Sequence, residues 1–319
     1  MTETSEKPDA AASWSRYWAS GALTSLPEDF HANYDGEIAD FWARQVDALP
    51  EGAAVLDVCT GNGAIALLVA EQARRAGRRV RITAVDAAEV HPEVIARRFP
   101  GAGELLSSIR FVGRRRLEDL AVAPDSIDLI TSQYGIEYCR WAAAAERCRH
   151  FLRPGGRLAI VAHALSSDLL STMRRERDEY ERLRQAGLTE LLRKRLAGRL
   201  DGPSFDSRMR AVHAGLEHAA TGSPTPLLRY ALSLAAGSIS MSAAAFARRR
   251  QIIEQACNQL DDGYNRLSQM LAVNDALAAH PDWTDAFTVA GLDRLDRGSL
   301  TYRGQHKAGD WFVFGKPSA

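Results

Sequence analysis

A glycine turn between an apolar run and a helical pattern constrains this chain most. The run Ala53–Val58 is apolar except for Asp57, and the sequence Cys-Thr-Gly-Asn-Gly follows it. Such a run is typical of a central strand in a parallel sheet, which is covered on both faces. Gly61 and Gly63 lack a Cβ, so the backbone can turn sharply and approach a ligand closely. A helix is predicted from Ala64, and its free N–H groups point back toward the turn.

A second acidic residue completes this pattern. Val80–Val85 predicts the next strand, and Asp86 follows it directly. A carboxylate at this place can accept hydrogen bonds from both hydroxyls of a ribose. Asp57, in contrast, lies inside the first strand beside the turn, where it would repel a pyrophosphate. These features predict a site for a nucleoside-bearing cofactor that has a cationic tail and no phosphate.

At these residues the chain resembles the class I S-adenosylmethionine-dependent methyltransferases. Their first motif has the form D-x-x-x-G-x-G, which is matched here by Asp57, Gly61 and Gly63, and their ribose-binding acid falls at Asp86. Further segments match the family in the expected order, at residues 125–130, 151–157 and 290–292. The resemblance implies S-adenosyl-L-methionine as the cofactor.

The alternation of strand and helix patterns predicts the fold. Five strand patterns separated by helical ones occupy residues 53–162, and two more, at 299–303 and 311–314, predict an antiparallel hairpin. The expected fold class is α/β, with a Rossmann-like seven-stranded, mostly parallel sheet and an antiparallel C-terminal hairpin. The resemblance covers residues 53–163 and about 284–317, and it implies the same fold.

The regions outside the resemblance are predicted to cover the substrate, as such additions usually do in this family. Residues 1–50 carry many aromatic side chains and a helical pattern that Asp35 can cap, and they form a predicted flap. The predicted methyltransferase core comprises 51–165 and 281–319. Between these parts, residues 166–280 show only helical patterns and predict an inserted all-helical cap that acts as a substrate lid.

Ten residues are predicted to contact the cofactor: the resemblance implies the glycine turn and Asp57 at its methionine part and Asp86 at its ribose, and Gln133 could instead line the acceptor pocket with Tyr134. Asp57 is expected near the amino group of the methionine part, the alternative being a carboxylate that only caps the amides of the turn. At the adenine amine the family has an acidic residue where this chain has Arg116, so the backbone of Leu117 and the carboxylate of Glu118 or Asp119 are the candidates. The predicted cofactor contacts are Asp57, Thr60, Gly61, Gly63, Asp86, Ala87, Leu117, Glu118, Gln133 and Tyr34.

His163, directly after the fifth predicted strand, is the candidate catalytic residue. A histidine can take a proton near neutral pH, as a protonated oxygen or nitrogen acceptor requires. The alternative is a structural histidine that is hydrogen-bonded to the first turn of the insert. The predicted substrate contacts are Tyr134, Tyr17, Trp18 and His31, although Tyr17, Trp18 and also Tyr34 could instead pack on the neighbouring helix.

Composition and motifs narrow the range of partners. Forty basic and forty acidic residues give no net charge, and Ser132–Tyr138 lacks the N-P-P-Y motif of nucleic-acid amino methyltransferases. The four cysteines are far apart, which favours a reducing cytoplasm and counts against both a disulfide framework and a zinc site. We therefore expect a cytoplasmic protein with a small-molecule substrate, no metal, and neither nucleic acid nor membrane as a partner. Helical pairs of the insert could also form a homodimer.

Two other functions fit part of the pattern. An NAD-dependent Rossmann oxidoreductase would use similar glycines, but Asp57 and the absence of a third glycine count against it. A cofactor-binding or partner protein without catalysis would use the helical insert as an interaction surface. The leading prediction is transfer of a methyl group from S-adenosylmethionine to a small molecule by in-line displacement, with S-adenosylhomocysteine as the product. Such a reaction depends mainly on alignment and exclusion of water, so the sequence leaves the acceptor open.

Overall fold

The computed structural model describes residues 10–25, 32–163, 167–219, 224–304 and 306–318 of the 319-residue chain. These residues fall into two compact units. The core unit consists of the described residues within Met1–Ser166 and Ala272–Ala319, and the helical unit consists of those within Ser167–Leu271.

A seven-stranded sheet forms the centre of the core unit. Its strands are β1 (Ala53–Val58), β2 (Val80–Val85), β3 (Ile109–Val112), β4 (Ile127–Gln133), β5 (Leu152–Ala162), β6 (Asp293–Tyr302) and β7 (His306–Gly315). They lie in the order β3-β2-β1-β4-β5-β7-β6. The first five strands are parallel, and β7 runs antiparallel to both β5 and β6. The predicted fold class is thereby confirmed.

Helices pack around this sheet in the core unit, and a different set of helices forms the helical unit. Those with residues in the core unit are α1 (Ala10–Ala19), α2 (Gly36–Asp47), α3 (Ala64–Arg75), α4 (Pro92–Arg98), α5 (Gly103–Ser107), α6 (Trp141–Phe151) and α13 (Asp285–Val289). The helical unit contains α7 (Ser167–Gln185), α8 (Leu188–Leu196), α9 (Gly202–Ala219), α10 (Pro226–Ser238), α11 (Ala243–Arg248) and most of α12 (Arg250–Ala279).

The central strands are apolar because both of their faces are covered. Val55 and Leu129 belong to an apolar cluster that includes residues of α2 and α3. Leu56 and Ile130, one position further on in β1 and β4, belong to a second cluster with residues of α6 and α13. Successive side chains of a strand point to opposite faces, so a strand between two helical layers needs apolar residues at every position.

The site region lies where the order of the strands reverses. The chain builds β2 and β3 on one side of β1, then returns to place β4 and β5 on its other side. In an open parallel sheet, the crevice at the carboxyl ends of the strands at this switch point is where ligands bind. Asp57 of β1 is in register with Thr131 of β4, so the loops after these strands leave the sheet side by side.

Two local predictions differ from the structure. Asp35 is the N-cap residue of α2 by position, but its side chain makes no capping hydrogen bond and instead accepts the hydroxyl of Tyr302 at 2.5 Å. Strand β6 begins at Asp293, earlier than the predicted 299–303. This edge strand is mostly exposed, with only Leu300 buried, so it lacks the alternating apolar pattern by which strands are predicted.

The helical unit has an apolar core of its own. Leu188, Leu192 and Leu196 lie on one face of α8 and are buried. The rings of Phe205 and Phe246 meet edge to face with centroids 5.4 Å apart. Among the described residues, no helix combines the length and the hydropathy that a membrane span would need. The role of this part of the chain as a lid stays a prediction.

Candidate functional site

The turn after β1 requires its glycines. Cys59, Gly61 and Gly63 have φ angles of 57°, 56° and 90°, which lie in the left-handed region. A Cβ on Gly61 would lie 2.6 Å from the ring of Trp18, and one on Gly63 would lie 2.7 Å from the ring of Phe111. Larger residues would therefore be strained and would also clash.

The side-chain carboxylate of Asp57 stabilises this turn through hydrogen bonds. Its side chain is buried and accepts hydrogen bonds from the hydroxyls of Thr60 at 2.5 Å and Thr131 at 2.7 Å. Burial raises the pKa of Asp57 to about 6, although hydrogen bonds from Thr60, Thr131 and the amide of Ala66 oppose the shift. A carboxylate in this position fixes the shape of the turn and puts negative charge beneath it.

Asp86 is oriented by the backbone at the end of β2. Its Oδ2 accepts the N–H of Gly61 and its Oδ1 accepts the N–H of Ala88, both at 2.7 Å. Burial raises the pKa of Asp86, and these two amide hydrogen bonds oppose the shift. Because each carboxylate oxygen can accept more than one hydrogen bond, both retain capacity for the hydroxyls of a ribose. The arrangement thus fits the nucleoside part of a cofactor.

Asn62, between the two glycines, was not among the predicted site residues. It is fully buried, and its Nδ2 donates to the carbonyls of Trp18 at 2.8 Å and Ala22 at 2.7 Å. Its Oδ1 accepts the N–H of His91 at 2.8 Å. Asn62 therefore ties the segment that contains α1 to the glycine turn. The available signal was its position, since a side chain between two glycines of a tight turn must bind either a ligand or nearby backbone.

A cavity of about 690 Å³ lies among α1, the segment after β2 and the segment after β3. Ala87, Arg115, Arg116 and Asp119 contribute to its wall. The segment that follows Asp86 thus forms part of the wall of this cavity. Asp119, which sequence reasoning weighed together with Glu118, supplies a carboxylate there.

The other residues predicted near the adenine have different surroundings. Glu118 accepts the backbone N–H of Arg140 at 3.1 Å, which turns its carboxylate toward that residue. The side chain of Leu117 is buried in the core. Arg114, whose φ of 56° is in the left-handed region, donates to Glu89 at 2.5 Å.

His163 lies just after β5 and contacts a buried acid. Its Nδ1 is 2.7 Å from Oε1 of Glu137, and the same oxygen accepts the backbone N–H of His163 at 3.0 Å. The Glu137 side chain has no exposed surface, and its Oε2 lacks a hydrogen-bond partner among the described residues. Glu137 follows β4 and was not predicted to have a role. Its acidity within Ser132–Tyr138 was the only signal in the sequence, because its pairing with His163 depends on the neighbouring strand β5.

Aromatic rings extend from His163 in both directions along this edge of the sheet. We call them the aromatic row: in order, Trp18, Trp14, Tyr138, His163, Tyr134 and Tyr34. Neighbouring centroids in the row are between 4.9 and 6.5 Å apart. Trp14 and Tyr138 were not predicted as site residues. The row brings residues of α1 and of the loop after β4 into one continuous surface.

The polar atoms of several predicted residues in this region bind the protein itself. The hydroxyl of Tyr134 donates to the carbonyl of Ala308 at 2.5 Å. Tyr17 donates in the same way to the carbonyl of Thr24 at 2.9 Å. The hydroxyl protons of these two tyrosines are therefore already used within the protein.

Gln133 lies close to Tyr34, the last member of the row. Oε1 of Gln133 accepts the indole N–H of Trp42 at 2.7 Å. Burial raises the pKa of Tyr34, and hydrogen bonding to Ser25 and Gln133 opposes the shift. Both side chains are buried, so contact with a cofactor would require an approach along the edge of the sheet.

His31 lies outside the described residues, and its predicted contact with the substrate stays a prediction. The structure brings most of the other predicted residues to one edge of the sheet. Within the part of the chain that the structure describes, no group of three or more histidine, cysteine, aspartate or glutamate side chains could hold a metal ion.

Comparison with known proteins gives a family match for the central segment of the chain. Residues 55–156 match a family model described as a methyltransferase domain. No curated protein sequence matches the chain significantly.

Several solved structures can also be aligned with this chain. A protein provisionally described as an S-adenosyl-L-methionine-dependent methyltransferase from Methanococcus maripaludis has a TM-score of 0.43 and 14% identity, over 100% of this chain and 98% of the other. Geranyl diphosphate methyltransferase with geranyl diphosphate and sinefungin has a TM-score of 0.41 and 11% identity, over 88% and 77%. A complex of the Haloferax volcanii Trm112 activator with a provisionally described methyltransferase has a TM-score of 0.46 and 11% identity, over 95% and 97%. At these scores none of the three is close enough to transfer a substrate or a partner to this chain.

Proposed function

We propose, from the premise that this chain belongs to the class I S-adenosylmethionine-dependent methyltransferase family, that it methylates a small molecule. The family was predicted from Asp57, Gly61, Gly63 and Asp86, and the match of residues 55–156 to a methyltransferase domain supports it. The cofactor supplies an electrophilic methyl group on a positively charged sulfur. The residues of this chain must then bind the cofactor, orient the acceptor, exclude water and remove any proton that the acceptor carries.

We assign cofactor binding to the turn after β1 and the acid after β2. Asp86, held by the amides of Gly61 and Ala88, would accept the ribose hydroxyls. The buried carboxylate of Asp57 would stabilise the positive charge of the methionine part from beneath the turn. The cavity bounded by Ala87 and Asp119 would take the adenine. Thr60, Leu117, Glu118, Gln133 and Tyr34 remain proposed contacts, of which Thr60 would act through Asp57.

We assign proton removal to His163. The carboxylate of Glu137 accepts a hydrogen bond from Nδ1–H of His163, so the neutral imidazole carries its basic lone pair on Nε2. When Nε2 takes a proton from the acceptor, the imidazolium that forms lies beside a buried carboxylate, which stabilises it. The single observation that carries this assignment is the 2.7 Å contact between His163 and Glu137 beyond the carboxyl ends of β5 and β4.

The aromatic row suggests the chemical class of the acceptor. Tyr134 and Tyr138 flank His163 with their rings, and the hydroxyl proton of Tyr134 is already donated to the carbonyl of Ala308. Such a surface favours a flat or apolar small molecule that bears an ionisable hydroxyl or amine. Trp18 and Tyr17 would extend the same surface on the α1 side. We further propose a cytoplasmic protein whose helical unit serves as the substrate lid and which could form a homodimer.

Titration calorimetry tests the cofactor first. We expect S-adenosylhomocysteine to bind the purified chain and NAD not to bind it. A screen of small phenols, amines and carboxylic acids with a donor that carries a labelled methyl group then tests the acceptor. Binding of NAD in place of S-adenosylhomocysteine would reject the proposal. Cofactor binding without label transfer to any small molecule, but with transfer to protein or nucleic acid, would reject the acceptor class.

A further inference from the structure

Two cysteines meet at the edge of the proposed cofactor site. Cys59 directly follows β1, and Cys139 follows a short 3₁₀ turn, Ile136–Tyr138, after β4. Because β1 and β4 are neighbours in the sheet, the two loops lie side by side, and the sulfur atoms are 3.8 Å apart. Eighty residues of sequence separate the two cysteines, so the fold alone creates this pair.

The loops that carry the two cysteines are packed tightly together. A Cβ on Gly135 would lie only 2.3 Å from the Cβ of Cys59. Both thiols of the pair are half-buried, whereas Cys148 and Cys257 are buried. A small oxidant can therefore reach Cys59 and Cys139 in preference to the other two cysteines.

The two cysteines differ as nucleophiles. The pKa of Cys59 is raised well above its usual range by its hydrogen bond with Cys139, by burial, and by the negative charges of Asp86 and Glu137. Because the thiolate is the reactive form, Cys59 is a poor first nucleophile, and the first attack on an oxidant falls to Cys139.

We propose that Cys59 and Cys139 form a peroxide-sensitive pair whose oxidation to a disulfide weakens cofactor binding. The thiolate of Cys139 attacks the peroxide oxygen and forms a sulfenic acid, releasing water or an alcohol. The thiol of Cys59 then displaces water from the sulfenic sulfur and forms the disulfide. In total the two thiols lose two electrons and two protons. Hydrogen peroxide is thereby reduced to two molecules of water, and an organic hydroperoxide is reduced to one water and one alcohol.

Closure of the disulfide must move the glycine turn. A disulfide bond is about 2.0 Å long, so the sulfurs must approach each other by roughly 1.8 Å from their separation of 3.8 Å. Gly135 leaves no free space between the loops, and Cys59 lies two residues before Gly61, whose N–H orients Asp86. A shift of Cys59 therefore disturbs the hydrogen bond that positions the ribose-binding acid.

The test oxidises the full chain with hydrogen peroxide and compares it with the reduced chain. Peptide mass spectrometry without reductant should show a 59–139 cross-link with the loss of two hydrogens, and the four titratable thiols should fall to two. Affinity for S-adenosylhomocysteine should fall by at least about ten-fold and return after treatment with dithiothreitol. This part rests on the proposed function, because it uses the cofactor product as the probe.

Matched variants make the test specific. Cys139→Ser should bind S-adenosylhomocysteine within about two-fold of the wild type when reduced, and peroxide should no longer change its affinity. Cys257→Ser, in the helical unit, should keep the full response to peroxide. Should circular dichroism show that Cys139→Ser is unfolded, Cys139→Ala takes its place.

The outcomes separate this proposal from the proposed function. Absence of the 59–139 cross-link overturns the thiol pair, whatever the chain binds. A cross-link that leaves the affinity unchanged overturns its effect on the cofactor site. If the reduced chain fails to bind S-adenosylhomocysteine, the proposed function is wrong and the effect on the cofactor falls with it. In that case peptide mass spectrometry alone tests the 59–139 cross-link.

Discussion

The two ends of the crevice are held together by different parts of the chain. At the cofactor end backbone atoms dominate: the amides of Gly61 and Ala88 orient Asp86, and positive φ angles shape the turn. At the acceptor end side chains dominate: Glu137 orients His163, and the rings of the aromatic row form the surface. Each end can therefore be altered with little change in the other, because different atoms fix them.

This difference separates binding from turnover. Substitutions at the cofactor end should change the affinity for S-adenosylhomocysteine, whereas substitutions at the acceptor end should change the rate at saturating cofactor. A substitution that changed both quantities equally would show that the two ends are coupled. The predictions below test this separation.

The largest effect is expected at the acceptor end. His163→Ala should lower kcat by about 10²- to 10⁴-fold, the usual contribution of a general base, with the affinity for S-adenosylhomocysteine close to that of the wild type. His150→Ala, which removes an exposed histidine of α6, is the matched control and should retain its activity. Retention of more than about a third of the activity by His163→Ala would give His163 a structural role.

Glu137 provides a second check on the same pair. Glu137→Gln keeps the size of the side chain but removes the negative charge beside His163, so the imidazolium is less stabilised. The kcat should therefore fall, while the affinity for S-adenosylhomocysteine stays close to that of the wild type. An unchanged kcat would contradict the assignment of Glu137 as the residue that orients His163 and stabilises its imidazolium.

The next effect is a pH dependence of stability at the cofactor end. Asp57 has its pKa raised from 3.8 to about 6 in the folded chain, so the folded state binds more protons between these values. Stability from this group is present at low pH and is lost as pH rises through about 6. The loss is about 3 kcal/mol, from roughly two pKa units at 1.36 kcal/mol each.

Asp57→Asn removes this titration. We expect the free energy of unfolding of the wild type, relative to that of Asp57→Asn, to rise by about 3 kcal/mol between about pH 7.5 and about pH 4. Denaturant unfolding of both proteins without cofactor measures the difference, and contributions from the other groups cancel. A difference that does not vary with pH would mean that Asp57 titrates alike in the folded and unfolded chain.

The same contrast explains which parts of the site could be predicted from sequence. The cofactor end depends on residues that are close together in the sequence. Asp57, Gly61 and Gly63 therefore form a motif that can be recognised from the sequence alone. Asn62 was missed because its partners Trp18, Ala22 and His91 lie 44, 40 and 29 positions away in the sequence. The pairing of Glu137 with His163 needs β4 and β5 to be neighbours, which no local pattern encodes.

The fold was more predictable than the site for a related reason. Strands buried on both faces, such as Ala53–Val58, are recognised by their apolar runs. Strand β6, in contrast, lies at the edge of the sheet and carries polar residues, so only its end was predicted. A buried strand can therefore be predicted from its apolar sequence, whereas an exposed edge strand cannot.

A smaller effect is expected from the ribose-binding acid. Asp86→Ala should weaken binding of S-adenosylhomocysteine by about 2 kcal/mol, since hydrogen bonds to charged groups contribute roughly 1.5–3 kcal/mol. The turnover rate at saturating cofactor should change little, because Asp86 lies at the cofactor end. Glu146→Ala, which removes an exposed acid of α6, is the control. Unchanged affinity in calorimetry would reject the role of Asp86.

The smallest effect is expected from the hydroxyl of Tyr134. Tyr134→Phe removes the hydrogen bond to the carbonyl of Ala308 but keeps the ring that lies 4.9 Å from the ring of His163. Loss of one neutral hydrogen bond should lower the free energy of unfolding by about 1 kcal/mol, and kcat should change by less than about three-fold. Denaturant unfolding and steady-state kinetics measure the two quantities separately. A much larger loss of rate would mean that the hydroxyl leaves Ala308 to contact the acceptor during turnover. The acceptor end would then recognise its substrate by hydrogen bonding as well as by the shape of its rings.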